Sequence, residues 1–135
     1  LNCYDGHNFR LYKKRDSSTA NSIRGNGIKK ILQDRDNNIW VQHEKGTDEI
    51  NYITRNVRHG WAHDSIGKSV IDICTDYNQQ LLILCDQEVW QYIKPSRSYK
   101  RLFTAPENYS LFSLIKDKQG GYYIGTRHYE EATAT

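Results

Sequence analysis

Residues 28–42, IKKILQDRDNNIWVQ, decide how the rest of the chain is read, because their pattern returns twice. Residues 70–84 read VIDICTDYNQQLLIL, and residues 111–125 read LFSLIKDKQGGYYIG. Each is an apolar run, an Asp, a short polar turn and a second apolar run. The aspartates are Asp34, Asp76 and Asp117. Six residues beyond each stands a large apolar side chain: Trp40, Leu82 and Tyr123. Self-similarity with a near-constant period of roughly 40 residues is the signature of a β-propeller blade array.

Working outward, residues 28–33 are the first predicted strand. Asp36-Asn37 is the turn, since Asn tolerates the left-handed backbone that tight hairpins need. Residues 39–43 are the second strand, 48–53 the third, and 57–61 an irregular fourth, which makes 28–61 one blade. The next blade, 70–104, has strands near 70–75, 81–85, 88–93 and 99–104, with a last turn at Pro95-Ser96-Arg97-Ser98. Residues 111–126 supply an inner half blade, 111–116 and 122–126 around Gln119-Gly120. At the other end, residues 1–4, the turn dipeptide Asp5-Gly6 and an alternating stretch at 9–13 form an outer half blade, 1–14. Residues 15–27, rich in Ser, Asn and Gly, read as a long connecting loop. No helix is strongly signalled; 127–132 forms a short turn at most.

The predicted fold is therefore all-β: about two complete four-stranded antiparallel blades plus two half blades, a fragment of a larger propeller. Closed propellers often assemble one blade from both chain ends, and rings need four to eight blades. The rest of the ring is expected from further sequence or from a second chain.

Composition agrees. The chain has 135 residues, ten of them Tyr, and 12% are aromatic. Such a mix leans towards pleated sheet. A hydrophobic fraction of 37% and a mean hydropathy of −0.83 leave little core per residue, as expected of repeats that cover one another. With no Met and an opening already in mid-pattern, the chain is expected to be a piece of a longer protein. The formal charge of +3 is spread out and forms no continuous basic stripe, so nucleic acid is not an expected partner. Cys3, Cys74 and Cys85 show no zinc spacing. Cys74 and Cys85 fall on two strands of one predicted hairpin and are within reach of each other, but buried structural thiols are the favoured reading.

With the repeats aligned, a family resemblance appears. The unit is an apolar strand, Asp, two residues, Gly, one residue, Ile or Leu, Trp, Ile or Val, Gly, Thr, then Gly-Leu-x-x-Tyr-Asp. It resembles the two-component regulator propeller repeat, which builds the sensor region of hybrid histidine kinases in gut-dwelling Gram-negative bacteria. Asp34-Arg35-Asp36-Asn37-Asn38-Ile39-Trp40-Val41 matches with Asn37 at the Gly position. The stretch Asp117 to Thr126 keeps the Gly and the Gly-Thr, with Tyr123 for Trp. The middle copy is most divergent, with Leu82 for Trp and Leu84-Cys85 for Gly-Thr. Leu1-Asn2-Cys3-Tyr4-Asp5-Gly6, with Phe9 and Tyr12, matches the end of a repeat. The resemblance implies a membrane-bound, homodimeric parent whose periplasmic propellers respond to glycan breakdown products and signal to a kinase, a receiver and a DNA-binding module. It implies a segment with no catalysis of its own and no cofactor.

The candidate chemistry is sparse. The recurrent aspartates are expected to accept backbone N–H groups in their turns rather than to act on a substrate. Asp34-x-Asp36-x-Asn38 imitates a calcium loop but has Ile39 and Lys45 where Gly and Glu belong. His43-Glu44 lacks the second His of a zincin, and Gly25-Asn26-Gly27 lacks the setting of a phosphate loop. Trp40 and Trp90 are expected in the core. The most informative stretch is Arg58-His59-Gly60-Trp61-Ala62-His63-Asp64, read as a connection between repeats. Arg58, His59, Trp61 and His63 have the composition of a carbohydrate site, an aromatic ring for a sugar face and polar groups for hydroxyls. The plainer reading has Trp61 plugging the junction between blades and the histidines in solvent. Metal ligation by His59 and His63 lacks a third ligand. Two functions follow: a ligand-sensing propeller segment with an oligosaccharide partner, or a propeller serving as a protein-interaction or dimerisation platform.

Overall fold

A computed structural model of the chain describes residues 1–4, 6–7, 9–11 and 22–128. It divides into two units, Leu1–Gly67 and Lys68–Thr135. Both are built of antiparallel sheet.

In the first unit, β1 (Asn2–Tyr4) pairs with β2 (Phe9–Leu11). A four-stranded meander follows: β3 (Lys30–Gln33), β4 (Ile39–His43), β5 (Gly46–Ile50) and β6 (Val57–Ala62), each beside the next. A single turn of helix, α1 (His63–Ile66), closes the unit and ends at Gly67, whose φ is 75°. That is the left-handed cap conformation that glycine adopts freely. In the second unit the meander is β7 (Asp72–Thr75), β8 (Leu81–Leu84), β9 (Glu88–Ile93) and β10 (Ser98–Thr104). The pair β11 (Tyr109–Lys116) and β12 (Tyr122–His128) completes it.

The three aspartate turns are one device. Asp34 Oδ1 accepts the N–H of Asp36 at 2.9 Å and of Asn38 at 3.1 Å. Asp76 Oδ1 accepts those of Asn78 at 2.8 Å and Gln80 at 3.0 Å. Asp117 Oδ1 accepts those of Gln119 at 2.7 Å and Gly121 at 2.9 Å. The third residue after each Asp has a positive φ: Asn37 at 67°, Gln79 at 58°, Gly120 at 106°. The second oxygen is served differently. Trp40 Nε1 donates to Asp34 Oδ2 at 2.9 Å. Where the second repeat has Leu82 in place of Trp, Gln91 Nε2 donates to Asp76 Oδ2 at 3.0 Å. These carboxylates hold turns closed, as their recurrence indicates. Asp34 is thereby engaged with its own turn and Trp40, not poised as a calcium ligand.

Strand alternation sets two faces on each sheet. In the second unit the face carrying Cys74, Leu82, Leu84 and Val89 is covered by Leu111 and Leu114 of β11. A residue six beyond one Asp thus shares a core cluster with a residue three before the next Asp. Adjacent turns are also tied: Tyr77 donates from its hydroxyl to Gly121 O at 2.6 Å, and Lys116 Nζ to Asp76 O at 3.0 Å. In the first unit Ile23, Val41, Ile50 and Val57 form the core, with Leu1 and Cys3 packed on it.

Several expectations are corrected. The irregular fourth strand expected at 57–61 is β6, so the site stretch read as a connection begins inside the sheet: Arg58 pairs with Glu49 and His59 with Asp48 in the β5–β6 ladder. The third strand begins at Gly46 and ends at Ile50, not 48–53. Asn51 stops it by accepting the N–H groups of Ile53 and Thr54 on its side-chain oxygen, which leaves Tyr52 and Ile53 exposed. The sequence does not signal the short α1. Trp90 is half-buried rather than core. Cys74 and Cys85 are, as favoured, buried thiols outside any disulfide. The remainder of the predicted strand at 9–13, most of the loop at 15–27 and the end of the 127–132 turn lie outside the described residues.

Candidate functional site

Among the described residues, the richest polar site lies in the first unit, where the β4–β5 turn meets the segment that leads into β3. Residues 43–46 form a tight turn, and Gly46 at φ 140° makes it possible. Its neighbourhood leaves no room for a side chain, since a Cβ there would overlap Trp61 O. The close approach brings His43 and Asp48, five residues apart, together across the turn. His43 Nε2 lies 2.8 Å from Asp48 Oδ2, with both side chains fully buried. His43 Nδ1 accepts the Lys45 N–H at 3.1 Å. That nitrogen therefore carries no proton, and Nε2–H donates to the carboxylate.

Arg24 closes the arrangement. Its backbone N–H donates to Asp48 Oδ2 at 2.8 Å and its Nε to Oδ1 at 2.9 Å. Its Nη2 donates to Thr47 O at 2.6 Å and Trp61 O at 3.0 Å. Burial on its own pushes the Asp48 carboxyl up. The His43 hydrogen bond, the Arg24 N–H and the Arg24 charge outweigh it and hold the group below the ordinary Asp value. Beside this bracket, the exposed Glu44 accepts the N–H groups of Asn26 at 3.2 Å and Gly27 at 2.8 Å. Burial raises its carboxyl; its own N–H and those of Gly27 and Asn26 bring it down. Gly25 has no space for a Cβ, which would stand 2.5 Å from Glu44 Oε2 and 2.7 Å from His43 Nδ1.

The sequence-predicted residues are dispersed. Arg58 and His59 are exposed. As neighbours on β6 they project to opposite faces. His59 Nε2 lies 3.0 Å from Ser22 O. Trp61 is 1% exposed, so its ring is no open platform for a sugar. His63 opens α1, and its N–H donates to Lys45 O at 3.0 Å. His63 thus sits at the same turn as His43 and Glu44, whereas Arg58 does not. Arg24, His43, Glu44 and Asp48 belong to no motif that sequence reasoning picks out as a site. The available signal is the pair of polar residues at 42–43 in place of the repeat's Gly-Thr.

The arrangement does two things chemically. His43 and Asp48 are fully buried and Arg24 is half-buried, and the set acts as a bracket. Outside it, Asn26, Glu44, Lys45 and His59 present donors and acceptors on a fixed frame. Among the described residues, no group of three metal-ligating side chains converges.

A second cluster lies in the other unit. Glu88 accepts from Lys68 Nζ on Oε1 and from Arg101 Nη1 on Oε2, the latter at 3.2 Å. The Lys68 hydrogen bond is the main cause that holds the Glu88 carboxyl low, against burial and with help from Arg101. Lys68 Nζ stands 5.7 Å and Arg101 Cζ 6.0 Å from the Trp90 ring centroid. Both separations suit a cation–π contact.

No protein-family model matches the chain, and no curated protein matches it. Solved structures resemble it. One is the extracellular domain of BT4673 from B. thetaiotaomicron, described as a hybrid two-component system, with a TM-score of 0.68 and 21% identity over 96% of this chain. Another structure of that extracellular domain, described as a one-component system, gives 0.67 and 22% over 90% of this chain. The chain shares that domain's fold. It spans 18% and 16% of those two longer chains. Among the described residues, no helix is long and apolar enough to cross a membrane.

Proposed function

We propose that this chain is a non-catalytic segment of the extracytoplasmic β-propeller of a hybrid two-component sensor, and that it contributes to recognition of an oligosaccharide. One observation carries the reading. The repeat in the sequence and the fold matched over 96% of the chain lead to the same kind of protein by separate routes. Four-stranded meanders are the sheets of which propeller blades are made. The β3–β6 and β7–β10 sheets are read as two successive blades. The parent is then a periplasmic sensor in an inner-membrane, homodimeric kinase. Its ligand site includes the edge formed by Asn26, Glu44, Lys45 and His59, whose donors and acceptors suit sugar hydroxyls and whose backbone is pinned before any ligand arrives.

Calorimetry with a glycan panel tests this, comparing wild type with Lys45→Ala and His59→Ala. Heat with wild type that weakens in both variants supports the reading. No heat with any glycan sinks the ligand part. A second reading, a protein-interaction platform, is favoured by the exposed Phe112, Ile115 and Tyr123 on β11 and β12.

A further inference from the structure

Asn26-Gly27 is the only Asn-Gly dipeptide in the chain. In such a pair the Gly nitrogen, once it has lost its proton, attacks the preceding side-chain amide, because no Cβ stands in the way. The new bond joins Gly27 N to Asn26 Cγ. The Cγ–Nδ2 bond breaks, and ammonia leaves with the proton that the backbone gave up. Water then opens the cyclic imide at either carbonyl and leaves Asp or isoaspartate at position 26. Water is the only co-reactant.

The geometry sets what this reaction has to overcome. Asn26 and Gly27 are both exposed, so water reaches them. The nitrogen that would attack is held instead. Gly27 N–H donates to Glu44 Oε2 at 2.8 Å, and Asn26 N–H to Oε1 at 3.2 Å. The charge of a carboxylate strengthens such a bond. It also opposes loss of the proton, since the product would be a second anion beside the first. Ile28 N–H donates to Asn26 O at 3.1 Å, a tight γ-turn that fixes the backbone of Gly27. Glu44 comes this close because Gly27 has no side chain; a Cβ there would stand 3.0 Å from Oε2.

We infer that Asn26 is a deamidation site, and that Glu44 is the guard that keeps it intact in the folded chain. The product undoes the guard. An acid at position 26 adds negative charge to the residue whose N–H Glu44 holds. Isoaspartate also lengthens the backbone by one carbon, so the γ-turn at Gly27 cannot close as before. The change is irreversible, and it loosens the rim at 26–27. The chemistry lies within two bonded neighbours, so it holds whether or not the rim receives a glycan.

The full chain is aged at mildly alkaline pH, and peptide mapping by mass spectrometry with isoaspartate-specific methylation follows residue 26. The expected result is slow conversion at Asn26 and none at Asn38, Asn51 or Asn56, which precede Ile, Tyr and Val. Glu44→Ala should speed conversion by about tenfold, the weight of one charge-assisted hydrogen bond on the reacting nitrogen. Glu44→Gln, which keeps an acceptor without the charge, should fall between, and it carries the comparison if circular dichroism shows Glu44→Ala to be unfolded. Gly27→Ala should slow conversion, because the new Cβ hinders the attacking nitrogen. An Asn26 that stays an amide in wild type and in both Glu44 variants overturns the site. Equal rates in wild type and the folded Glu44 variants overturn the guard.

Discussion

Replacing Trp40 by Phe isolates one hydrogen bond in the first aspartate turn. The indole N–H donates to Asp34 Oδ2 at 2.9 Å, and both side chains are buried, Trp40 at 1% and Asp34 at 5% exposure. A hydrogen bond to a charged acceptor contributes about 1.5–3 kcal/mol, and a carboxylate oxygen left without it is costly to bury. Phe retains most of the ring, so the predicted loss is about 2–3 kcal/mol. With a urea m-value of about 2 kcal/mol per molar, the unfolding midpoint drops by about 1 M. Far-UV circular dichroism is the signal, since the substitution alters Trp fluorescence. The cycle with Asp34→Asn tests the cause. Asn keeps an oxygen for the turn N–H groups but turns an amide N–H towards the indole. The two substitutions should therefore couple by about 1 kcal/mol or more. An unchanged midpoint in Trp40→Phe, or strict additivity in the cycle, would refute the assignment of Trp40 as the partner that locks this turn.

Asp48→Asn removes the counterion of Arg24 and should cost about 3 kcal/mol in chemical denaturation, as breaking a buried pair does. The Asp48 carboxyl is held below the ordinary value of 3.8. Its stabilisation is therefore complete above that pH and fades as pH falls through the lower folded value. Stability measured against pH should keep falling below pH 3.8 in wild type and lose that part of its slope in Asp48→Asn. Gly46→Ala meets both the strained φ of 140° and Trp61 O. It should cost at least about 3 kcal/mol; a folded variant of near wild-type melting temperature would contradict the turn geometry. Burial, with the Glu88 charge added, pushes the Cys85 thiol up to about 12. Mass-resolved thiol labelling at neutral pH should modify Cys3 in the folded chain and Cys85 only after unfolding; prompt labelling of Cys85 would show that the site is open.

The aspartate turns are legible in the sequence because their determinants are local. Asp, a left-handed residue three positions on, and flanking apolar runs specify the hairpin within a few residues, and Ile39–His43 and Glu88–Ile93 fall where the alternation places them. The third strand of the first sheet ends before the pattern predicts. Tyr52 and Ile53 look strand-like, whereas Asn51 captures two backbone N–H groups and ends the ladder ahead of them. Residues 57–61 read only as an irregular strand, and 58–64 also as a connection, because Arg, His and Gly interrupt the apolar pattern. Residues 57–62 are strand because β5 supplies a ladder partner, and because Gly60 lets Thr47 Oγ1 and the Trp40 ring approach. The polar bracket is least legible. Arg24 lies 24 residues from Asp48, in a stretch whose composition reads as loop, and only the folded sheet brings them together. Strand position alone suggests a core Trp90; its company of Lys68 and Arg101 comes from separate segments.

The anchoring of residues 24–27 has a consequence for recognition. Arg24 makes four hydrogen bonds to the sheet, and the Asn26 and Gly27 amides are fastened to Glu44. A rim fastened this way has its ordering entropy already settled by folding, so under the proposed ligand role a guest molecule would meet it without a further ordering cost. If the proposed ligand role holds, selectivity at such a rim comes from shape already in place, and mutations that unfasten Arg24 should weaken binding of the guest.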